Sequence, residues 1–227
     1  MPDGKYLGVI LAAGHGSRMG PFGEEVPKPV APVCNKPLLV YQIEHLRALG
    51  VTDILVVIGH LGHRITAALG DGSAFGVRLR YVEQERRLGL AHAVGQLETL
   101  VDRPFLLFLG DIFFEMDRPE RLLAEFEASG AAAALAVREE TDVEAVRRNF
   151  SVRTDGDGRV LRVFETPRFV ESMLKGCGLY LFSLHIFDAI RRTPRTSLRD
   201  EYELTDSIQI LVDLDLEVRA VPVVAWD

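Results

Sequence analysis

The sequence predicts an α/β layered sheet, and three observations carry that prediction. Short apolar runs at 7–11, 54–58, 77–82 and 105–109 alternate with helix-like stretches at 38–49, 64–69, 90–100 and 121–129, the order that builds a sheet with helices packed on it. Beyond residue 130 the rhythm changes to strand-like runs at 131–137, 150–154, 159–165 and 178–182, separated by turns such as Asp155-Gly156-Asp157-Gly158. The first apolar run also passes straight into a loop of small residues, Leu11-Ala12-Ala13-Gly14-His15-Gly16-Ser17-Arg18-Met19-Gly20, whose backbone amides can approach an anion closely.

Taken in order, 7–11 is a buried-strand candidate. In 38–49 the residues Leu38, Leu39, Ile43, Leu46 and Leu49 share one helical face and Gly50 follows where the helix must stop. Gly59 and Gly62 bracket His60-Leu61-Gly62-His63 as a strand-to-helix turn; two imidazoles without a third ligand do not make a metal site. The run 105–109 ends at Gly110-Asp111, which puts a carboxylate at the carboxyl end of a central strand. Leu204, Ile208 and Leu211 return to helical spacing, and 216–224 reads as a final strand.

Length and charge narrow the classes. The 227 residues suit one domain, residues 1–227. Acidic residues outnumber Lys and Arg by 33 to 26, a net charge of −7, which argues against a broad basic nucleic-acid surface. Cys34 and Cys177 are the only cysteines, so neither a disulfide framework nor a metal knuckle is expected. No cationic leader and no stretch of about 18 apolar residues is present, so a cytoplasmic protein without a membrane partner is expected.

The glycine loop admits three phosphate-binding readings. A dinucleotide G-x-G-x-x-G fails, because position 19 is methionine and prolines at 21, 27, 29 and 32 stand where the helix should begin. A Walker loop fails too, because five residues separate Gly14 from Gly20 and Pro21 follows. What remains is a long open loop that wraps a triphosphate with its own amides and brings Arg18 and Lys28 to it.

At this point the chain resembles the sugar-1-phosphate nucleotidylyltransferases. The resemblance rests on 11–19, on Pro27-Lys28-Pro29-Val30-Ala31-Pro32-Val33 with Lys36-Pro37-Leu38, on Gly70-Asp71-Gly72-Ser73, Gln84, Gly89-Leu90-Ala91-His92-Ala93-Val94, and Leu109-Gly110-Asp111. The stretch 89–94 is most similar to the long-form glucose-1-phosphate thymidylyltransferases. The resemblance implies a three-layer, Rossmann-like nucleotidyltransferase fold with a mixed, mainly parallel central sheet and a small β-rich sugar-binding portion. Residues 1–137 would form the nucleotide-binding portion and 138–227 the sugar-phosphate-binding portion.

The implied reaction is attack of a sugar-1-phosphate oxygen on the α-phosphorus of a nucleoside triphosphate, with dTTP or UTP and glucose-1-phosphate the first pair. Such chemistry needs cations and a metal rather than a protein nucleophile. Arg18, Lys28 and Asp111 are then the expected catalytic residues, with Leu11, Ala12, Ala13, Gly14, Gly16, Ser17, Gln84 and Gly89 binding nucleotide. Glu165, Arg168 and Gly178 would bind the sugar phosphate, and Asp111 and Asp227 would hold Mg2+. One departure stands out: the family usually has Glu-Lys-Pro where this chain has Glu165-Thr166-Pro167, so Arg168 is expected to supply the missing cation. A sensing subunit without turnover, transfer to a non-sugar phosphorylated acceptor such as phosphocholine, and assembly into a homo-oligomer stay open.

Overall fold

In the computed structural model, β1 (Leu7–Ala12) is buried along its whole length, as its unbroken run of apolar and small residues requires of a strand covered on both faces. The structure describes residues 4–14, 20, 23, 26–196 and 200–227, and these fall into two compact units whose bounds are Met1–Arg87 with Arg103–Phe113, and Leu88–Asp102 with Phe114–Asp227.

The first unit is an α/β sheet. After β1 come the short pair β2 (Pro32–Val33) and β3 (Lys36–Pro37), α1 (Leu38–Ala48), β4 (Asp53–Ile58), α2 (Gly62–Leu69), β5 (Arg78–Glu83) and β6 (Phe105–Leu109). The strand order is β6-β1-β4-β5 and every pairing within that order is parallel, while β2 and β3 pair antiparallel with each other. Leu38, Leu39, Ile43 and Leu46 of α1 are buried as the helical spacing predicts, and so is Gln42. Gly50 follows with φ of 78°, the left-handed conformation that ends a helix. At the amino end of the sheet Asp53 pairs with Arg78, Arg80 and Arg103. Burial opposes ionisation of Asp53, yet the hydrogen bond from Arg78 and the neighbouring charges hold its carboxyl below the ordinary range.

The second unit opens with α3 (Leu90–Gly95), then β7 (Glu115–Met116), α4 (Glu120–Ser129), β8 (Ala133–Glu139), α5 (Val143–Arg147), β9 (Phe150–Thr154), β10 (Val160–Glu165), β11 (Leu174–Phe182), α6 (His185–Arg192), α7 (Leu204–Asp213), β12 (Val218–Pro222) and β13 (Val224–Trp226). Its sheet runs β10-β9-β11-β8-β12, with β8–β12 parallel and the rest antiparallel; β13 pairs with β7. The chain thus carries the mixed α/β sheet that the sequence predicts.

Two helical expectations need correction. The stretch 90–100 is an α-helix only through Gly95, because beyond it the chain tightens into i→i−3 bonds, Leu97 N to Val94 O, Glu98 N to Gly95 O and Leu100 N to Leu97 O. Leu97 and Val101 are nevertheless buried, so the apolar spacing served burial without a continuous helix. Conversely α6, a helix with buried Ile186, Phe187 and Ala189, sits where no helix was expected. Among the described residues no helix is long and apolar enough to cross a membrane.

Candidate active site

Because β1, β4, β5 and β6 are parallel, their carboxyl ends share one edge, where α/β sheets bind ligands. The register sets Leu11 beside Leu109 and Ile58 beside Glu83. The start of the glycine loop, Gln84 and Asp111 therefore share that edge, as the sequence predicts for the loop and Asp111. Leu11, Ala12 and Ala13 are buried and Gly14 is exposed. Gly16, Ser17 and Arg18 lie outside the described residues. Gln84 is buried directly after β5, its N–H donating to Ile58 O at 2.8 Å.

Asp111 occupies a turn after β6. Gly110 N–H donates to Leu11 O at 2.9 Å, and a Cβ on Gly110 would stand 2.8 Å from that same oxygen, so only glycine permits so close an approach to β1. The Asp111 carboxylate points outward and accepts from Lys28 Nζ at 3.2 Å, both side chains being about half exposed (53% and 41%). An exposed pair of this kind contributes about 0–1 kcal/mol, so it separates cheaply when ligands arrive.

Lys28 begins a 3-10 turn, Lys28–Val30, between Pro27 and Pro29. The prolines stiffen the backbone under a long side chain. The neighbouring Lys36 is committed elsewhere, 2.6 Å from Glu44 and 3.9 Å from the centre of the Tyr41 ring. The two lysines of this motif are thus distinguished: one locks structure and the other faces an exposed carboxylate.

In the second unit Glu165 ends β10 and accepts from Thr205 Oγ1 at 3.0 Å. Thr166 follows with φ of 39°, strained for a β-branched residue, and its N–H donates to Asn149 O at 3.0 Å. Arg168 is exposed. Gly178 has φ of 70° inside β11, where the register against β8 slips between Gly176 and Tyr180; glycine supplies the bulge conformation there. Gly89 has φ of 106°, and a Cβ on it would meet Tyr202 O at 2.4 Å. The backbone that approaches this glycine is thus that of Tyr202, which also donates to Leu88 O and accepts from Ala91 N–H.

Asp227 is nearly buried and ion-paired, 2.8 Å from Lys175 Nζ and 3.5 Å from Arg138 Nη1. Glu140 completes a group of two cations and two carboxylates, 3.0 Å from Arg138 and 3.4 Å from Lys175. Backbone N–H groups of Thr141 and Asp142, with Arg138 and Lys175, hold the Glu140 carboxyl down at about 2. A lowered carboxyl contributes stability that is full above its ordinary value of 4.5 and fades as pH falls towards 2. Glu140→Gln should therefore lower Tm at pH 7 by roughly 3–8 °C, and the gap to the parent should close between pH 4.5 and 2 in a calorimetric series.

Three comparisons bear on this arrangement. The Nucleotidyl transferase family model matches residues 7–227. The chain belongs to that family. A glucose-1-phosphate thymidylyltransferase of Streptomyces griseus is 38% identical over 215 residues, covering 93% of this chain and 59% of that protein. The UTP–glucose-1-phosphate uridylyltransferase AglF of Haloferax volcanii is 32% identical over 218 residues, covering 96% and 88%. A solved UDP-glucose pyrophosphorylase complexed with UDP-glucose shares the fold at TM-score 0.84 and 22% identity, over 96% of this chain and 90% of that one. The chain spans about 60% of the length of several of its relatives.

Two features of this family member do not stand out from the sequence alone. Gly110 was visible only as part of a motif, although a glycine between a buried strand and an acid is itself a signal of close backbone approach. Lys175, a lone cation in the apolar strand LKGCGLYLF, signals a buried acid; the nearest is Asp227, 52 residues further on, with Glu140 beside it.

Proposed function

We propose that this chain transfers a nucleotidyl group from a nucleoside triphosphate to a sugar-1-phosphate, releasing pyrophosphate and forming a nucleoside-diphosphate sugar. The observation that carries the reading is the Lys28–Asp111 pair, 3.2 Å apart and exposed at the strand edge from which the glycine loop departs. Its support from relatives is that two of them are named for thymidylyl and uridylyl transfer to glucose-1-phosphate. dTTP or UTP with glucose-1-phosphate is accordingly the first pair to test.

In the reaction an oxygen of the sugar phosphate bonds to the α-phosphorus while the bond from that phosphorus to the α–β bridging oxygen breaks, and pyrophosphate leaves with the electron pair. Lys28 neutralises the phosphates that meet, and Arg18 is assigned to the leaving pyrophosphate. Asp111 fits a hard cation: it is exposed, oxygen-donating and bound only by a cheaply displaced lysine among the described residues, which suits Mg2+, an ion that takes one or two carboxylates and completes its shell with water and phosphate. Bound Mg2+ would neutralise phosphate charge and help orient the triphosphate. Asp227 fits less directly, because it would have to exchange its ion pair with Lys175 for the metal.

The acceptor half rests on the second unit. Glu165 would take sugar hydroxyls, and Arg168 would grip the phosphate in place of the lysine that Thr166 replaces. Arg168→Ala should raise KM for the sugar phosphate at least tenfold and leave KM for the triphosphate within twofold; an unchanged sugar-phosphate KM would remove Arg168 from the site.

The test of the reading is pyrophosphate release across the common triphosphates paired with several sugar-1-phosphates. A pyrimidine triphosphate with a hexose-1-phosphate should lead. Binding of nucleotide without release from any pair would favour the sensing reading, for which the strained Thr166 at the acceptor motif is the relevant observation.

A further inference from the structure

Gln42 stands out within α1. It lies in the buried stripe with Leu38, Leu39, Ile43 and Leu46 and is 1% exposed, a position that the helical spacing otherwise gives to apolar side chains. Its Nε2 donates to Leu109 O and to Ile112 O, each at 2.8 Å. Because both neighbours are acceptors, the amide orientation is fixed by chemistry. The other atom, Oε1, is buried and has no partner among the described residues. A buried acceptor left unpaired carries a desolvation cost, so the amide is held for its donors and not for the balance of its own hydrogen bonds.

The two carbonyls are the first and last of the turn that carries Asp111. That turn closes with Ile112 N–H to Leu109 O at 3.3 Å, a long bond, while Gly110 N–H ties it to Leu11 of β1. Gln42 grips both ends of the turn from α1. Among the described residues the Asp111 carboxylate has a single, exposed contact, with Lys28. Its position is therefore set by the backbone beneath it, and that backbone is set by Gln42 and Leu11.

We propose that Gln42 is the positioning residue for Asp111, clamping the turn so that its carboxylate stands where a metal–triphosphate complex binds. The proposal rests on the reading of Asp111 as a metal-binding carboxylate. Displacements of an ångström in a supporting shell are enough to weaken such a site severely.

The experiment is a double-mutant cycle of Gln42→Met, which keeps the length and removes the donors, with Asp111→Asn. Binding of Mn2+ in the presence of dTTP is read by the loss of the free-ion electron paramagnetic resonance signal. Gln42→Met should weaken Mn2+ binding at least fivefold in the parent and less than twofold in the Asp111→Asn background, and lower kcat at least tenfold while KM for the sugar phosphate stays within twofold. Equal weakening in both backgrounds would mean general destabilisation and overturn the proposal. Unchanged Mn2+ binding in Gln42→Met alongside weakened binding in Asp111→Asn would overturn it while leaving the Asp111 reading intact. Unchanged binding in Asp111→Asn would remove both. Should Gln42→Met fail to fold, Gln42→Asn, one methylene too short to reach both carbonyls, enters the same cycle with the same expectations.

Discussion

Lys28→Met should lower kcat about 10²–10³-fold, the usual effect of removing one preorganised group that stabilises transition-state charge, with little change in thermal stability. Two observations set the sizes. The ammonium stands on a 3-10 turn between two prolines and has no described partner but the Asp111 carboxylate at 3.2 Å. The pair is about half exposed, so its contribution to folding is about 0–1 kcal/mol and Tm should move by no more than a few degrees. Methionine preserves the aliphatic stem and removes only the charge. Lys28→Arg should recover little activity, because a planar fork presents its charge differently from a compact ammonium. Pyrophosphate release and differential scanning fluorimetry on the same preparations measure both quantities. A loss of Tm matching the loss of activity, or a fall in kcat below fivefold, would assign Lys28 to structure instead.

Asp111→Asn is the second large effect. The amide keeps the shape of the carboxylate but loses its charge, so kcat should fall about 10²-fold or more and the Mg2+ concentration needed for half-maximal rate should rise at least tenfold. Stability should again change little, since the side chain is 53% exposed. The Mg2+ titration separates two roles: if Asp111 served only to hold Lys28, kcat would fall without any shift in metal requirement. The same titration on Asp227→Asn tests the second carboxylate. There a fall in Tm accompanies the substitution, because Lys175 would keep its buried charge with one carboxylate fewer beside it.

Much of the first unit was legible because its signals are local. The apolar run of β1, the helical stripe of α1 with Gly50 behind it, and the acid at the end of β6 each follow from the order of side chains along a few residues. Parallel strands then bring the loop after β1 and the acid after β6 to one edge without further information. What was not legible depends on partners distant in sequence. Nothing beside Gln42 in the chain says that its amide meets carbonyls of residues 109 and 112, and nothing beside Lys175 says that it meets Asp227. Gly89 illustrates the same limit: its need for glycine was readable, but the close approach in the structure comes from the Tyr202 backbone. The α-helix expected over 90–100 stopped at Gly95 because apolar spacing reports burial and is blind to the change from i→i−4 to i→i−3 bonding. The α6 helix went unseen because its eight residues carry a short apolar stripe between Ser183 and Pro194, too brief to stand out from the strands before it.

The most direct test of the central claim follows phosphorus itself. With dTTP or UTP, glucose-1-phosphate and Mg2+, 31P nuclear magnetic resonance should show the triphosphate and sugar-phosphate signals falling together while pyrophosphate and a nucleoside-diphosphate sugar appear in equal amounts, and added pyrophosphate should drive the products back. Triphosphate consumption that continues without any sugar phosphate, or no consumption with any pair of substrates, would contradict nucleotidyl transfer to a sugar phosphate as the activity of this chain.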